Sequence, residues 1–307
     1  MDKTLIFLHI HKTAGTSLAQ LLVRQFPRDA VHRMDQHYFR VQQALDALQS
    51  LNLESRRRIG CLIGHVAYGV HSLLPQEPAY VTMLREPVSR TLSEYYYVRS
   101  APAPYIHKLL DHKDNLTPFE RRFREHLRPE STPANSLEAF LEMGLDAETL
   151  NLQTRMLGGF VPPGRFAPPY PPLPEHALQT AKKNLRDNIS ACGLVERFDE
   201  SVLLMQSIFS WRNAYYTVEN TRRGQLHRKP VAKTTLGKIE LHCERDLELY
   251  EYAQALFAER LRGLPDLTTA ALRRFRRRNR VYQGLRTAYD RTGLRHVRDL
   301  FGQTFRR

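Results

Sequence analysis

The chain has 307 residues, of which 42% are apolar and 25% charged, a globular composition long enough to bury a substantial core. Lys and Arg total 46 against 32 Asp and Glu, for a net charge of +14, which excludes an acidic solvating chain and points to an anionic partner. Residues 271–307 hold twelve Arg, no Lys and two Asp. The preceding part is therefore only mildly basic, and a reading as a nucleic-acid binder would rest on the tail; no nucleic-acid partner is expected.

Cys61, Cys192 and Cys243 stand far apart, without C-x-x-C spacing. This argues against a disulfide framework or a zinc site and fits a reducing compartment. The first apolar run, Leu5 to Ile10, is short and preceded by Asp2, unlike a signal peptide. The expectation is a soluble, cytoplasmic protein, with peripheral membrane contact through the tail as an option.

In chain order, Thr4–His9 reads as a buried strand, His11–Thr16 as a polar loop, and Ser17 onward as a helix striped by Leu18, Leu21, Leu22 and Phe26. A second helix is expected over 41–52. Ile59–Ile63 is a second strand, ended by Gly64. Ala79–Leu84 is a third, and Pro87 then suits the first turn of a helix that buries Val88, Leu92, Tyr95 and Tyr96. Strands alternating with helices predict an α/β fold, a P-loop-like parallel sheet flanked by helices, with a mainly helical C-terminal region.

Asn135 and Glu138 resemble a capping box that opens a helix over 136–143, with Gly144 after its last turn. Residues 161–174 contain seven Pro and read as a stiff extended loop, on the surface or beside the site. Helices are expected at 175–188, 199–210 and 236–262. The chain divides into a domain over 1–265 and a basic Arg-rich extension over 266–307. The extension mixes Arg with Leu272, Phe275, Tyr282, Leu285 and Tyr289. Its apolar residues are free to pack on the domain, or to form amphipathic helices on an anionic membrane surface or polyanion.

Two strand exits carry anion chemistry. The first, FLHIHKTAGTSL over 7–18, leads a strand through Lys12, Thr13, Gly15, Thr16 and Ser17 into a helix. A helix amino terminus offers unpaired N–H groups and partial positive charge. Gly15 allows close backbone approach, Lys12 adds a mobile charge, and three hydroxyls add donors. The order is not that of a Walker A loop, because Lys12 precedes the only Gly. The second exit, YVTMLREPVSRTLSEYYY over 80–97, places Arg85 at the end of a hydrophobic strand, where a Mg-dependent NTPase usually carries an Asp. Arg85 there binds an anion directly or pairs with Glu86 or Glu94. Ser93 follows about two helical turns later.

H-K-T-A-G-T-S-L followed by L-R-E-P-V-S-R-x-x-S-E-Y resembles the sulfotransferases of the heparan sulfate 2-O-sulfotransferase type. NLQTRMLGG (151–159), GLVERFDESVLLM (193–205), HRKPVAKTTL (227–236) and DLELYEYAQALF (246–257) extend the likeness over roughly residues 4–260. The resemblance implies transfer of a sulfuryl group from 3′-phosphoadenosine 5′-phosphosulfate (PAPS) to an acceptor hydroxyl, on a glycan or glycolipid, without a metal. It assigns Lys12, Thr13, Ala14, Gly15, Thr16 and Ser17 to the 5′-phosphosulfate, and Arg85 and Ser93 to the 3′-phosphate. It assigns the Lys233-Thr234-Thr235 stretch to a loop closing over the nucleotide, with Lys233 and Thr235 as contacts.

Gly64-His65 corresponds to the family's catalytic base. A neutral imidazole suits the removal of a hydroxyl proton, and Lys12 would neutralise charge on the leaving oxygen. His71 is the best rival base. The family pattern usually has Pro where this chain has His11. The roles of Asn151, Gln153 and Arg155 stay open between the edge of the site and a buried polar frame. A Mg-nucleotide kinase-like transferase and a non-catalytic polyanion binder remain the rival classes.

Overall fold

The computed structural model describes residues 3–34, 41–100, 121, 136–146, 150–161, 170–219, 230–264 and 266–292. Among these, β1 (Lys3–Leu8), β2 (Val31–Arg33), β3 (Cys61–Gly64), β4 (Glu77–Leu84) and β5 (Ile189–Leu194) form one sheet in the order β2-β3-β1-β4-β5. Every neighbouring pair is parallel. The helices in chain order are α1 (Gly15–Val23), α2 (Val41–Ser50), α3 (Leu53–Arg57), α4 (Pro87–Ser100), α5 (Leu137–Asp146) and α6 (Leu152–Gly158). They continue with α7 (Ala177–Asp187), α8 (Phe198–Phe209), α9 (Lys233–His242), α10 (Glu244–Arg262) and α11 (Thr269–Thr292). This is the expected α/β fold with a P-loop-like parallel sheet.

A parallel sheet covered on both faces needs strands that are apolar on both faces, and β1 shows why its run is continuous. Ile6 and Leu8 join Leu62, Tyr80 and Leu84 on one side, under α2, α6, α7 and α10. Leu5 and Phe7 join Cys61, Ile63, Val81 and Met83 on the other, under α1, α8 and Phe275 of α11. Each such fully buried side chain contributes about 1.5–3 kcal/mol. The two buried threonines of the sheet are hydrogen-bonded: Thr4 donates to Ile59 O at 2.7 Å and Thr82 to Leu8 O at 3.0 Å. Leu8 lies level with both Gly64 and Thr82. The register therefore brings the ends of β3, β1 and β4 side by side, where an open α/β sheet forms its crevice.

The structure departs from the sequence reading in several places. Helix α1 begins at Gly15 rather than Ser17; the helix expected over 41–52 is α2, and a further short helix, α3, follows it beyond the expected range. The edge strand β2 and the strand β5 were not expected. β5 is built from Ile-Ser-Ala-Cys-Gly-Leu, with a single β-branched residue, Ile189, to signal a strand. A Cβ on Gly193 would stand 2.4 Å from Met83 Sδ and 2.6 Å from Ser201 Cβ, so the close approach of α8 requires small residues there. At α5 the capping side chain is Ser136, whose Oγ accepts from Ala139 N at 3.1 Å; Asn135 lies outside the described residues. Gly144 is inside α5 and does not end it.

The helix expected over 236–262 is two helices, broken at Cys243 (φ −106°, ψ 20°). The side-chain amide of Asn151 bridges the break. Its Nδ2 donates to His242 O at 3.0 Å and its Oδ1 accepts from Asp246 N at 3.1 Å. Asp246, fully buried, accepts from Gln153 N, Thr154 N and the Thr154 hydroxyl at 2.7–3.1 Å, satisfying the first N–H groups of α6. The fully buried Arg155 donates to Phe160 O at 2.9 Å and Pro171 O at 2.8 Å, fastening both ends of the Pro-rich segment. Residues 162–169 of that segment, and nearly all of 101–135, lie outside the described residues.

Candidate active site

The loop after β1 is held by its own backbone. Lys12 (φ 65°) and Ala14 (φ 56°) adopt left-handed conformations, each costing an L-residue roughly 1–2 kcal/mol. Strain of this kind persists where surrounding contacts impose it. Left-handed residues in such loops build the concavities of backbone N–H groups that bind anions. Thr13 is fully buried and its hydroxyl donates to Ile10 O at 2.9 Å. This corrects the expectation that its side chain donates to a ligand: the hydroxyl fastens the loop, and the backbone N–H is what the residue can offer.

Thr16 is exposed and Ser17 buried; Ser17 Oγ accepts from Glu219 N at 3.0 Å. Gly15 has a further reason to be glycine. A Cβ there would stand 2.0 Å from the His9 imidazole, which stacks on Phe7 at 5.2 Å between centroids.

Lys12 Nζ stands 3.8 Å over the ring centre of Tyr97, a cation–π contact. Burial pushes its ammonium below the usual lysine range; Glu94 opposes that shift and Arg85 adds to it. Arg85 sits at the end of β4 and its Nη1 donates to Lys12 O at 3.2 Å, so the two strand exits are tied directly. Gln153 frames the Arg85 backbone on both sides, accepting from its N–H and donating to its carbonyl, each at 3.0 Å.

Glu86, which with Glu94 was the alternative partner read for Arg85, has a structural task of its own. Its carboxylate caps α4 by accepting from Val88 N at 2.9 Å and Ser89 N at 2.7 Å. Ser93 is half-buried on the second turn of α4.

His65 follows β3 directly. Its Nδ1 lies 2.6 Å from His9 O. A carbonyl only accepts, so Nδ1 carries the proton and, in the neutral ring, Nε2 keeps its lone pair. The ring packs against His11 at 3.7 Å with 18° between planes, and against His9 at 4.2 Å. Burial holds the His11 imidazole well below the usual histidine range, and His65, His9, Arg90 and Lys12 push it the same way. His11 thus supplies a flat neutral surface behind His65.

The rival His71 is elsewhere. Its Nδ1 is 2.8 Å from the Tyr80 hydroxyl, and Tyr80 precedes the end of β4 by four residues, about 13 Å along a strand.

The sequence reading missed Arg90 and Asp246, and named Glu94 only as a partner for Arg85. Arg90 is almost fully buried, donates to Leu150 O at 3.3 Å, and lies 3.7 Å from Glu94. Glu94 is the carboxylate nearest in effect to Lys12. Their four-residue spacing on one helix was the available signal. Asp246 fixes α6 and through it Gln153.

Lys233 and Thr235 do not lie in a loop: they stand in the first turn of α9, Lys233 exposed and Thr235 buried, with the Thr235 hydroxyl donating to Glu138 at 3.0 Å. Helix α9 packs against α4. Among the described residues no group of three or more His, Cys, Asp or Glu is placed to hold a metal ion.

Sequence comparison finds relatives among heparan-sulfate 6-O-sulfotransferases. The chain is 26% identical over 289 residues to heparan-sulfate 6-O-sulfotransferase 1 of Homo sapiens, covering 84% of this chain and 66% of that protein. It is 25% identical over 276 residues to heparan-sulfate 6-O-sulfotransferase 1 of Gallus gallus, covering 82% and 65%. It thus spans about two-thirds of the length of these relatives. The motifs pointed to the 2-O type, whereas these relatives carry the 6-O name; the likeness to heparan sulfate sulfotransferases holds, and the 2-O assignment is not supported. A solved structure, mouse sulfotransferase SULT7A1 complexed with PAP, aligns over 81% of this chain and 66% of that one, at 12% identity and a TM-score of 0.36. No family model matches the chain.

The neutral His11 makes a pH-dependent contribution with a definite sign. Unfolded, its imidazole takes a proton near pH 6.5, whereas in the fold it resists one. The unfolded state therefore binds more protons below that pH. This contribution is complete above about 6.5 and is lost as pH falls, with a limiting slope of about 1.4 kcal/mol per pH unit. Urea unfolding at pH 7.5 and 5.0 should show a smaller acid destabilisation for His11→Gln than for the unaltered protein. Equal pH slopes would contradict the assignment.

Proposed function

We propose that this protein is a sulfotransferase that moves a sulfuryl group from PAPS to a hydroxyl of a carbohydrate. The observation that carries the reading is the meeting of three strand ends. The strained, cation-bearing loop at the head of α1, the Arg85 side chain tied to it, and an imidazole with its Nδ1 proton engaged all share one end of the sheet. The likeness to heparan-sulfate 6-O-sulfotransferases supports the same chemistry.

The donor set suits a ligand with two anionic groups. Lys12, the N–H groups of Thr13, Ala14 and Gly15, and the hydroxyls of Thr16 and Ser17 would hold the 5′-phosphosulfate at the positive end of α1. Arg85, with Ser93, would hold the 3′-phosphate. Lys233 and Thr235 are proposed as later contacts from α9. PAPS supplies the activated sulfuryl group.

His65 Nε2 accepts the proton of the attacking hydroxyl, while its Nδ1–H stays on His9 O and fixes the ring. The ring of His11 stacks against it at 3.7 Å. Lys12 neutralises charge on the leaving oxygen. The acceptor is proposed to be a heparan-type glycan, with a primary 6-hydroxyl as the first position to test; a glycolipid is the competing acceptor.

The outer face of α11 exposes Arg273, Arg274, Arg277, Arg278 and Arg280, and we place the contact with a polyanionic chain there. The Arg273→Gln/Arg277→Gln/Arg280→Gln variant should leave a heparin column at lower salt than the unaltered protein, and its transfer to a small uncharged acceptor should be unchanged. Elution at the same salt would remove the helix from the acceptor site.

Transfer of labelled sulfate from PAPS to desulfated heparan polysaccharide tests the reaction itself. His65→Ala should lower kcat by about 10²–10⁴, and His71→Ala should leave it unchanged. Loss confined to His71→Ala would overturn the base assignment.

A further inference from the structure

Residues 211–219 run as an extended strap along α1, from its carboxyl end to its amino end. Gln25 donates to Asn213 O at 2.9 Å, Arg24 donates to Tyr215 O, Thr217 donates to Gln20 at 3.4 Å, and Glu219 N donates to Ser17 Oγ at 3.0 Å. Alternate residues of the strap therefore face α1, as the period of extended chain demands. The last contact lands on the turn that opens α1.

The intervening residues, Ala214 and Tyr216, are buried. What covers them includes the Arg-rich helix α11. Its buried face is Phe275, Asn279 and Tyr282, spaced as one helical stripe. Phe275 and Tyr282 stack on Tyr215 at 5.7 Å and 6.0 Å between centroids. Asn279, 3% exposed, accepts from Tyr216 N at 2.8 Å. The Tyr216 hydroxyl donates to Asp199 at 2.7 Å, and Arg276 reaches the other oxygen of that carboxylate at 2.9 Å. A buried asparagine on an otherwise apolar stripe specifies register: only one placement of the strap satisfies both partners.

We propose that α11 is a positioning element of the donor site, with Asn279 as its key residue. It locks the strap, and the strap holds the first turn of α1 through Ser17. The Arg-rich tail then has two faces with different tasks, the inner one setting the loop and the outer one left for solvent or a polyanion. The inference rests on the reading of that loop as the donor site.

The test uses the full-length protein, with adenosine 3′,5′-bisphosphate as probe. Asn279→Ala removes the acceptor, and Asn279→Asp keeps it. The backbone N–H of Tyr216 loses its partner only in the first. Titration calorimetry should give about tenfold weaker bisphosphate binding for Asn279→Ala, an equal rise in KM for PAPS and an unchanged kcat, with Asn279→Asp restoring most of the affinity. Should Asn279→Ala fold poorly, Tyr216→Phe, which removes only the hydroxyl bond to Asp199, should weaken binding in the same direction by a smaller factor.

Amide hydrogen exchange without ligand should be faster over residues 13–19 in Asn279→Ala. A lower melting temperature with unchanged bisphosphate affinity and unchanged exchange over 13–19 would overturn the proposal, leaving α11 as a stabilising helix only. If the unaltered protein fails to bind the bisphosphate, the donor reading falls. The exchange measurement then decides alone whether the strap sets the loop.

Discussion

Lys12, Arg85 and Arg90 are gathered at one end of the sheet, and the cost of holding three cations together shapes what surrounds them. Burial and Arg85 both act against the Lys12 charge, and the adjoining His11 is held neutral. The fold offsets this with fixed oxygen dipoles and a few carboxylates. Lys12 O accepts from Arg85, Leu150 O accepts from Arg90, and Glu94 lies beside Arg90. The buried Asp246 carboxyl is pushed upward by burial and pulled back by Arg90 and by the N–H groups of α6. A site loaded with positive charge in advance pays little reorganisation when an anion arrives.

The same frame explains residues whose roles the sequence left open. Asn151 bridges the break between α9 and α10, Asp246 caps α6, and Gln153 on α6 grips the Arg85 backbone. The grip is rigid because each member is satisfied on both sides. Arg155 belongs to a neighbouring task, fastening the Pro-rich segment, with the Tyr170 ring 5.0 Å from its guanidinium.

Much of the sheet was legible because buried parallel strands are written as continuous apolar runs, as in Thr4–Leu8 and Tyr80–Leu84. β5 was not, since Ser190, Ala191, Cys192 and Gly193 are all small, Gly193 because α8 leaves no room for a Cβ, and smallness carries no strand signal. The loop residues and Arg85 were readable from residue type at a strand exit. The tie between them was not, because it runs from a side chain to the Lys12 carbonyl, and backbone acceptors have no sequence signature. His65 could be singled out by resemblance alone; the Nδ1 bond to His9 O, which gives it a usable Nε2, needed the register of β1 and β3. Of the two placements open to the tail's apolar residues, the described part takes packing on the domain: Phe275, Asn279 and Tyr282 seat α11 against the strap over α1.

The central claim is that the paired strand exits hold the two anionic ends of one nucleotide. Thermal unfolding with adenosine 3′,5′-bisphosphate, 5′-AMP or Mg-ADP, on the unaltered protein and on Arg85→Ala, addresses it most directly. At about one hundred times its dissociation constant the bisphosphate should add roughly 2.7 kcal/mol. The monophosphate should add less, and the advantage should vanish in Arg85→Ala. Preference for Mg-ADP, or no stabilisation by any of the three, would contradict it.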